Sequence, residues 1–245
     1  MARQRLDLLL VARGLAPSRE RARSLILAGQ VRVNGSAAVK AGTAVDEHAD
    51  IVLDTPDHPY VSRGGLKLAH ALDAFGIDVV GRNALDIGAS TGGFTDVLLQ
   101  RGARHVLALD VGHGQLDWRL RNDTRVTVRE HVNARFLTPV ELPGPFDVIT
   151  IDVSFISLRH ILPVVPGLLA ADGDAIALVK PQFEAGREEV QSGGLVHDPA
   201  VHTRVMTGVK EAGRAVGLEP VHETPSPITG ATGNQEFLLH LRRPS

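Results

Sequence analysis

Short apolar runs recur along the last two thirds of the chain. Ala84–Ile87, His105–Asp110, Phe146–Asp152 and Ala175–Lys180 each predict a buried strand, and Val126–Val128, Leu218–Glu223 and Gln235–Leu241 add three more polar candidates. Between these runs the apolar spacing changes to three and four. Phe94, Val97 and Leu98 open a helix after the first run, and Leu68, Leu72 and Phe75 share a helix face ahead of it, stopped by Gly76. Val201–Val216 predicts a further helix. Ser157–Leu169 has helical spacing but carries Pro163 and Pro166, which limit it to short turns. Gly186–Gly194 is polar and expected to be mobile, and Thr224–Gly233 reads as a long loop. Strands alternating with helices predict a parallel α/β sheet that takes its ligands outside the carboxyl ends of its strands.

Residues 3–55 follow another pattern. Leu6, Leu9 and Leu10 recur at helical spacing up to Gly14. Ser18 caps a second helix that buries Ala22, Leu25 and Ile26 and stops at Gly29. Val31–Val33 is a strand entering a tight Asn34-Gly35 turn, and Val39, Val45 and Ile51–Leu53 predict further short strands. Asp54–Pro59 holds two prolines and little to bury, so it reads as a linker dividing residues 1–58 from 59–245.

Composition narrows the possibilities. The chain has no cysteine, which excludes disulfides, thiolate metal sites and a cysteine nucleophile. Leu6–Arg13 is too short and too charged for a signal peptide, and Ile161–Ala171 falls far below membrane-spanning length. A soluble, cytoplasmic protein without membrane contact or a required metal is expected. The net charge of −2 hides an asymmetry: residues 1–40 hold eight Lys or Arg against two acids, and the rest holds 18 against 26. A basic arm on an acidic body predicts a polyanionic partner, with Arg5, Arg19, Arg21, Arg23, Arg32 and Lys40 as candidate phosphate contacts. A solvated basic helix face would have the same composition.

The candidate chemistry gathers at strand ends. Asp86, Gly88, Ser90, Thr91, Gly92, Gly93 and Phe94 lie between the first strand and its helix, where glycines let the backbone approach a ligand closely. This loop lacks the Gly-x-Gly-x-x-Gly spacing that seats a pyrophosphate, which favours S-adenosylmethionine over a dinucleotide. Asp86 could position the amino-acid part of that cofactor. Asp110, ending the second strand, suits ribose hydroxyls or caps its own turn, and Asn133 could read an adenine edge or serve a turn. Asp152 and Lys180 end the fourth and fifth strands. Lys67, near a helix start, reads by itself as a solvated lysine.

Two groups of motifs carry a resemblance. Arg5-Leu6-Asp7, Ser18–Ala22 and Gly29–Gly35 resemble the S-four-type RNA-binding domain, which implies structured RNA as the partner. Ser62–Leu68, Leu85–Thr95, Asp110–Leu116, Asp152–Leu158, Val179–Glu184 and Gly233–Phe237 resemble the TlyA family, so that together the two cover essentially the whole chain. The resemblance implies a Rossmann-like α/β sheet of the FtsJ-like, S-adenosylmethionine-dependent methyltransferase kind at 59–245, behind a small α+β RNA-binding domain at 1–58. It further implies 2'-O-methylation of cytidine ribose in ribosomal RNA, on free RNA or ribosomal subunits, although several members carry haemolysin names. The family's Lys-Asp-Lys-Glu catalytic tetrad corresponds to Lys67, Asp152, Lys180 and Glu236. One departure concerns the linker, where some members carry a tryptophan; here the segment is His58-Pro59-Tyr60-Val61, and the only tryptophan is Trp118.

The tetrad suits the reaction. A ribose hydroxyl is a weak nucleophile until its proton is removed or its developing charge is stabilised, and a sulfonium methyl arrives already activated. Lys180 is the candidate for that help, with Lys67 nearby favouring its neutral form and Asp152 and Glu236 favouring its charged form. Two other classes compete. The complete tetrad argues against a non-catalytic ribosome-assembly factor, and the lack of a spanning or long basic amphipathic segment argues against a membrane-damaging protein.

Overall fold

A computed structural model describes residues 3–16, 18–27, 29–38, 40–53, 58–230 and 232–244, in two units, Met1–Pro59 and Tyr60–Ser245. The strand expected at Val39 and most of the linker, 54–57, lie outside the described residues.

The first unit holds β1 (Arg3–Arg5), α1 (Leu6–Ala12), α2 (Arg19–Leu27), β2 (Val31–Val33), β3 (Ser36–Ala37), β4 (Ala44–Asp46) and β5 (Ile51–Leu53). The Ser18 hydroxyl accepts the Arg21 N–H at 3.1 Å, and α2 ends before Gly29 at φ +70°. Asn34 and Gly35 both take positive φ, the geometry of the tightest hairpin turn, and so β2 pairs with β3. Leu6, Leu10, Ala22, Ile26 and Val31 form the core of this unit.

The second unit continues with α3 (Gly64–Phe75), β6 (Asn83–Ile87), α4 (Gly93–Gln100), β7 (His105–Leu109), α5 (Trp118–Arg121), β8 (Val126–Arg129), β9 (Phe146–Ile151), α6 (Val165–Leu168), β10 (Leu169–Val179), α7 (Pro181–Glu184), α8 (Pro199–Ala215), β11 (Glu219–Pro225) and β12 (Phe237–Arg242). Its seven-stranded sheet has the order β11-β12-β10-β9-β6-β7-β8. Alternate residues of each strand enter opposite cores. Leu85, Ile87, Ala175, Ala177 and Val179 face one side, with Val205 and Val209 of α8. Ala84, Ile176 and Leu178 face the other, with Leu68 and Leu72 of α3 and Val97 and Leu98 of α4. Two covered faces explain why the strands read as unbroken apolar runs.

The sheet is mixed, where the alternation predicts a wholly parallel one. β12 runs antiparallel to both neighbours, because the described residues between β11 and β12 include no helix and the strands are joined directly. This reversal matters for the site. Val179 pairs with Phe237, so the residue before β12 lies at the edge where β10 ends. The Ser157–Leu169 segment is broken into short turns as its prolines require. Gly186–Gly194, expected to be mobile, is instead tied down. Glu189 accepts the Gly186 N–H at 3.0 Å, and the buried Asn234 amide donates to the Gly194 carbonyl at 2.7 Å.

At the opposite end of the strands, Asp174 is fully buried. Its carboxylate accepts Arg82 at 2.7 Å, Arg242 at 2.6 Å and His240 at 2.8 Å. Burial pushes its pKa up, but these three donors overcome burial and hold it well below the usual carboxylate range.

Candidate active site

β6 lies between β7 and β9, and the chain turns from β6 to β7 and β8 before returning to β9 on the other side. That reversal opens a crevice at the carboxyl ends. Gly88 leaves β6 with φ +86°, and a Cβ there would lie 2.3 Å from the Asp152 carbonyl oxygen. Only glycine lets the two strand exits approach this closely. Ser90 follows with φ +46°, and its N–H donates to Asp110 Oδ2 at 2.8 Å. The other oxygen, Asp110 Oδ1, accepts the Gly112 N–H at 2.6 Å, so one carboxylate holds the loops after β6 and β7 together.

A cavity of about 460 Å³ opens over these loops, within the range of small-molecule sites. Gly88, Ser90, Asp110, Gln115, Asn133, Asp152, Ser154 and Phe155 contribute to its lining, while Ile87, Leu109, Val132, Ile156 and Ile161 supply apolar surface. Asn133 lines the cavity and also caps a short turn, its Oδ1 accepting the Arg135 N–H at 3.1 Å.

Several residues of the glycine-rich loop take other places. Asp86 does not line the cavity. It is fully buried, accepting the Thr95 hydroxyl at 2.7 Å and the Thr150 hydroxyl at 2.9 Å, and thereby ties β6 to α4 and β9. Burial pushes its carboxyl up to about 6 against the pull of those two donors. Gly92 and Gly93 serve packing. A Cβ at Gly92 would meet Leu120 at 2.3 Å, and one at Gly93 would meet the Ser62 hydroxyl at 2.3 Å and the Gly65 nitrogen at 2.9 Å. Phe94 is buried in the apolar layer under α3 and α4, and the Thr91 carbonyl accepts the Asp117 N–H at 3.1 Å. Neither Thr91, Gly92, Gly93 nor Phe94 is among the residues lining the cavity. Tyr60, standing in the linker segment, packs its ring on Gly65, where a Cβ would come within 2.4 Å.

The four tetrad candidates form two ion pairs. Lys180, leaving β10, places Nζ 2.6 Å from Asp152 Oδ1 and donates to Ser154 Oγ at 2.9 Å. Lys67 projects from α3 into the protein and meets Glu236 at 2.5 Å, with the two residues only 9% and 2% exposed. The solvated reading of Lys67 is therefore overturned: a buried lysine needs its carboxylate partner. Gly230 closes over that partner, since a Cβ there would lie 2.4 Å from Glu236 Oε1. The pairing of Val179 with Phe237, carried one step further, puts Lys180 opposite Glu236. The two pairs thus sit on adjacent strand ends.

In the first unit, Arg5, Arg19, Arg23, Arg32 and Lys40 are exposed and Arg21 is partly buried. Arg5 and Arg19 are anchored by the buried Asp7, Arg5 through two hydrogen bonds of 3.0 and 2.9 Å and Arg19 through one of 3.0 Å. The Arg5 guanidinium, joined by Arg19, holds the Asp7 carboxyl well below its ordinary value against the effect of burial. Sequence reasoning did not single out Gln115, Ser154 or Phe155. Gln115 accepts the Ser90 hydroxyl at 3.1 Å, and Ser154 and Phe155 follow Asp152 directly enough that the strand end could have pointed to them.

Comparison with known proteins bears on the fold and the family. Residues 60–243 match the FtsJ-like methyltransferase family, and residues 4–51 match the S4 domain. The 16S/23S rRNA (cytidine-2'-O)-methyltransferase TlyA of Mycobacterium tuberculosis is 51% identical over 241 residues, covering 98% of this chain and 90% of that protein. The solved structure of a hemolysin-named protein from Streptococcus thermophilus superposes with a TM-score of 0.78 at 44% identity, covering 99% of this chain and 89% of that one. An S-adenosylmethionine-dependent methyltransferase from Mesorhizobium loti shares the fold at a TM-score of 0.53 and 18% identity, covering 71% of this chain and 96% of that one. An S4 domain ahead of an FtsJ-like sheet, and half the residues shared with TlyA over nearly the full length, place this chain in the TlyA family of FtsJ-like methyltransferases.

Proposed function

We propose that the protein methylates the 2'-oxygen of cytidine in ribosomal RNA, with S-adenosylmethionine as donor and Lys67, Asp152, Lys180 and Glu236 as the catalytic group. The observation that carries this reading is Lys180 held 2.6 Å from Asp152, which lines the cavity.

The residues fit the cofactor. Gly88 lines the cavity, and its missing Cβ lets the loop after β6 pack directly on the Asp152 backbone at the cavity wall. Asp110 still has acceptor capacity after its two backbone bonds, since a carboxylate offers about four lone-pair sites. It would take the ribose hydroxyls, and Asn133 the adenine edge. S-adenosylmethionine supplies a methyl group already activated on a positively charged sulfur.

The chain's own residues supply orientation and proton handling. Lys180 donates to Ser154 and is ion-paired with Asp152, and an ammonium has three donors, so it can also donate to an incoming ribose oxygen. As an ammonium it would stabilise the oxygen's developing charge, whereas only as the neutral amine, with a lone pair on nitrogen, would it accept the hydroxyl proton. The Lys67–Glu236 pair fixes the neighbouring strand end and adds a balanced charge there. Arg5 and Arg19, held by Asp7, and exposed Arg23, Arg32 and Lys40 would meet RNA phosphates. A ribosomal substrate places the protein in the cytoplasm. Among the described residues, no helix is long and apolar enough to cross a membrane.

One experiment separates the two halves of this reading. Asp110→Ala in the full chain should weaken S-adenosylmethionine binding by about 1.5–3 kcal/mol while sparing RNA affinity. Residues 60–245 alone should keep the cofactor affinity and lose RNA affinity together with its salt dependence. Calorimetry and filter binding on both proteins read the outcome. Undiminished RNA binding by the truncated chain would remove the role of the first unit.

A further inference from the structure

Asp152 and Lys180 stand on loops that leave neighbouring strands, β9 and β10, and beyond the strand ends the ladder no longer holds those loops in register. Two cross-links do. At the near end Lys180 Nζ lies 2.6 Å from Asp152 Oδ1 and donates to Ser154 Oγ at 2.9 Å. At the far end Glu184 accepts the Ser157 hydroxyl at 2.6 Å and the Leu158 N–H at 2.7 Å. Between the two clamps Phe155 holds φ +63°, a left-handed backbone that is strained for a bulky side chain. Such a conformation persists where the surroundings over-determine it. Its ring meets Phe183, next to Glu184, at 5.2 Å between centroids.

We propose that Glu184 is a positioning residue for methyl transfer: by fixing Ser157 and Leu158 it sets the bend of the 152–158 loop, and through that bend the place of Asp152 against Lys180. This rests on the methyl-transfer reading above. Glu184 does not line the cavity, so it acts through the loop alone. Its chain position serves the purpose, because α7 begins directly after Lys180 and ends at Glu184. One short helix therefore carries the catalytic lysine at its start and the clamp at its end. Burial pushes the Glu184 carboxyl up, and its two hydrogen bonds, with Arg159 and His160 on the facing turn, pull it down. Glu188 and Glu189 after α7, and Arg204 and Glu211 of α8, share the groove with it.

The test compares full-length wild type, Glu184→Gln and Glu184→Ala. The readouts are kcat and KM for methyl transfer to ribosomal subunits, cofactor affinity and melting temperature. Gln keeps a carbonyl for the Leu158 N–H and gains an amide donor for Ser157 Oγ, so kcat should stay within about threefold of wild type. Ala should lower kcat about 10- to 100-fold with cofactor affinity unchanged, measured well below its melting temperature. KM for the subunits should stay within about threefold of wild type, because Glu184 does not line the cavity and acts only on the placing of the catalytic pair. A Glu184→Ala protein with wild-type kcat, or with KM alone raised, would overturn the inference, whatever its melting temperature. A Glu184→Gln protein as impaired as Ala would also overturn it, because charge and not the clamp would then matter. An inactive wild type would instead overturn the methyl-transfer reading.

Discussion

Replacing Lys180 by alanine is expected to lower kcat for methyl transfer by about 100- to 10,000-fold, while cofactor and RNA affinities stay near wild type. The expectation follows from position. Lys180 is held 2.6 Å from Asp152 and 2.9 Å from Ser154, both on the cavity wall, and is not itself among the residues that line the cavity. Lys180→Arg then separates two mechanisms. Arginine keeps the positive charge but does not give up its proton in a protein. A base mechanism makes the Arg variant as inactive as Ala, whereas charge stabilisation leaves it measurable activity. Single-turnover kinetics on ribosomal subunits, with binding measured separately, distinguish the two.

The second large effect is on stability. Asp174 is fully buried and joined to Arg82, Arg242 and His240. Removing one partner from a buried charged network costs about 3–5 kcal/mol, and Asp174→Asn should fall toward the lower end, because Arg82 and Arg242 are partly exposed and can turn to water. The pH dependence follows from the depressed carboxylate. Its folded pKa lies below the unfolded value of about 3.9, so its contribution is complete above that value and is lost as pH falls through it toward the folded pKa. Wild type should therefore lose stability steeply in acid below about pH 4, and the Asn variant, already less stable at neutral pH, should show a flatter acid limb. Urea unfolding at a series of pH values measures both. Parallel acid limbs for the two proteins would show that Asp174 is not the group responsible.

The sequence made the strands legible because both sheet faces are covered, which turns each strand into a recognisable apolar run. Asp110, Asp152 and Lys180 could be placed at strand ends for the same reason. The residues misread are those whose partners are distant in sequence. Asp86 looks like a ligand-facing acid at the end of a strand. Its partners Thr95 and Thr150 lie 9 and 64 residues away, and they bury it. Lys67 looks like an ordinary surface lysine because Glu236 is 169 residues downstream. The glycines of the loop divide by what approaches them: Gly88 faces the Asp152 backbone at the cavity, whereas Gly92 and Gly93 admit Leu120 and Ser62 from the packing side. Spacing alone does not separate these cases. Nor does periodicity give the direction of β12, which depends on the connection before it and which brings Glu236 opposite Lys180.

The most direct measurement uses ribosomal subunits from cells lacking this gene, purified protein and a labelled methyl donor, followed by nucleoside analysis of the RNA. The expected product is 2'-O-methylcytidine, formed by wild type and absent with Lys180→Ala. A matched RNA with 2'-deoxycytidine at the target should bind and remain unlabelled, since it offers the same base without the accepting oxygen. Label on a base ring, or transfer to the deoxy substrate, would contradict the assignment of Lys67, Asp152, Lys180 and Glu236 to ribose methylation.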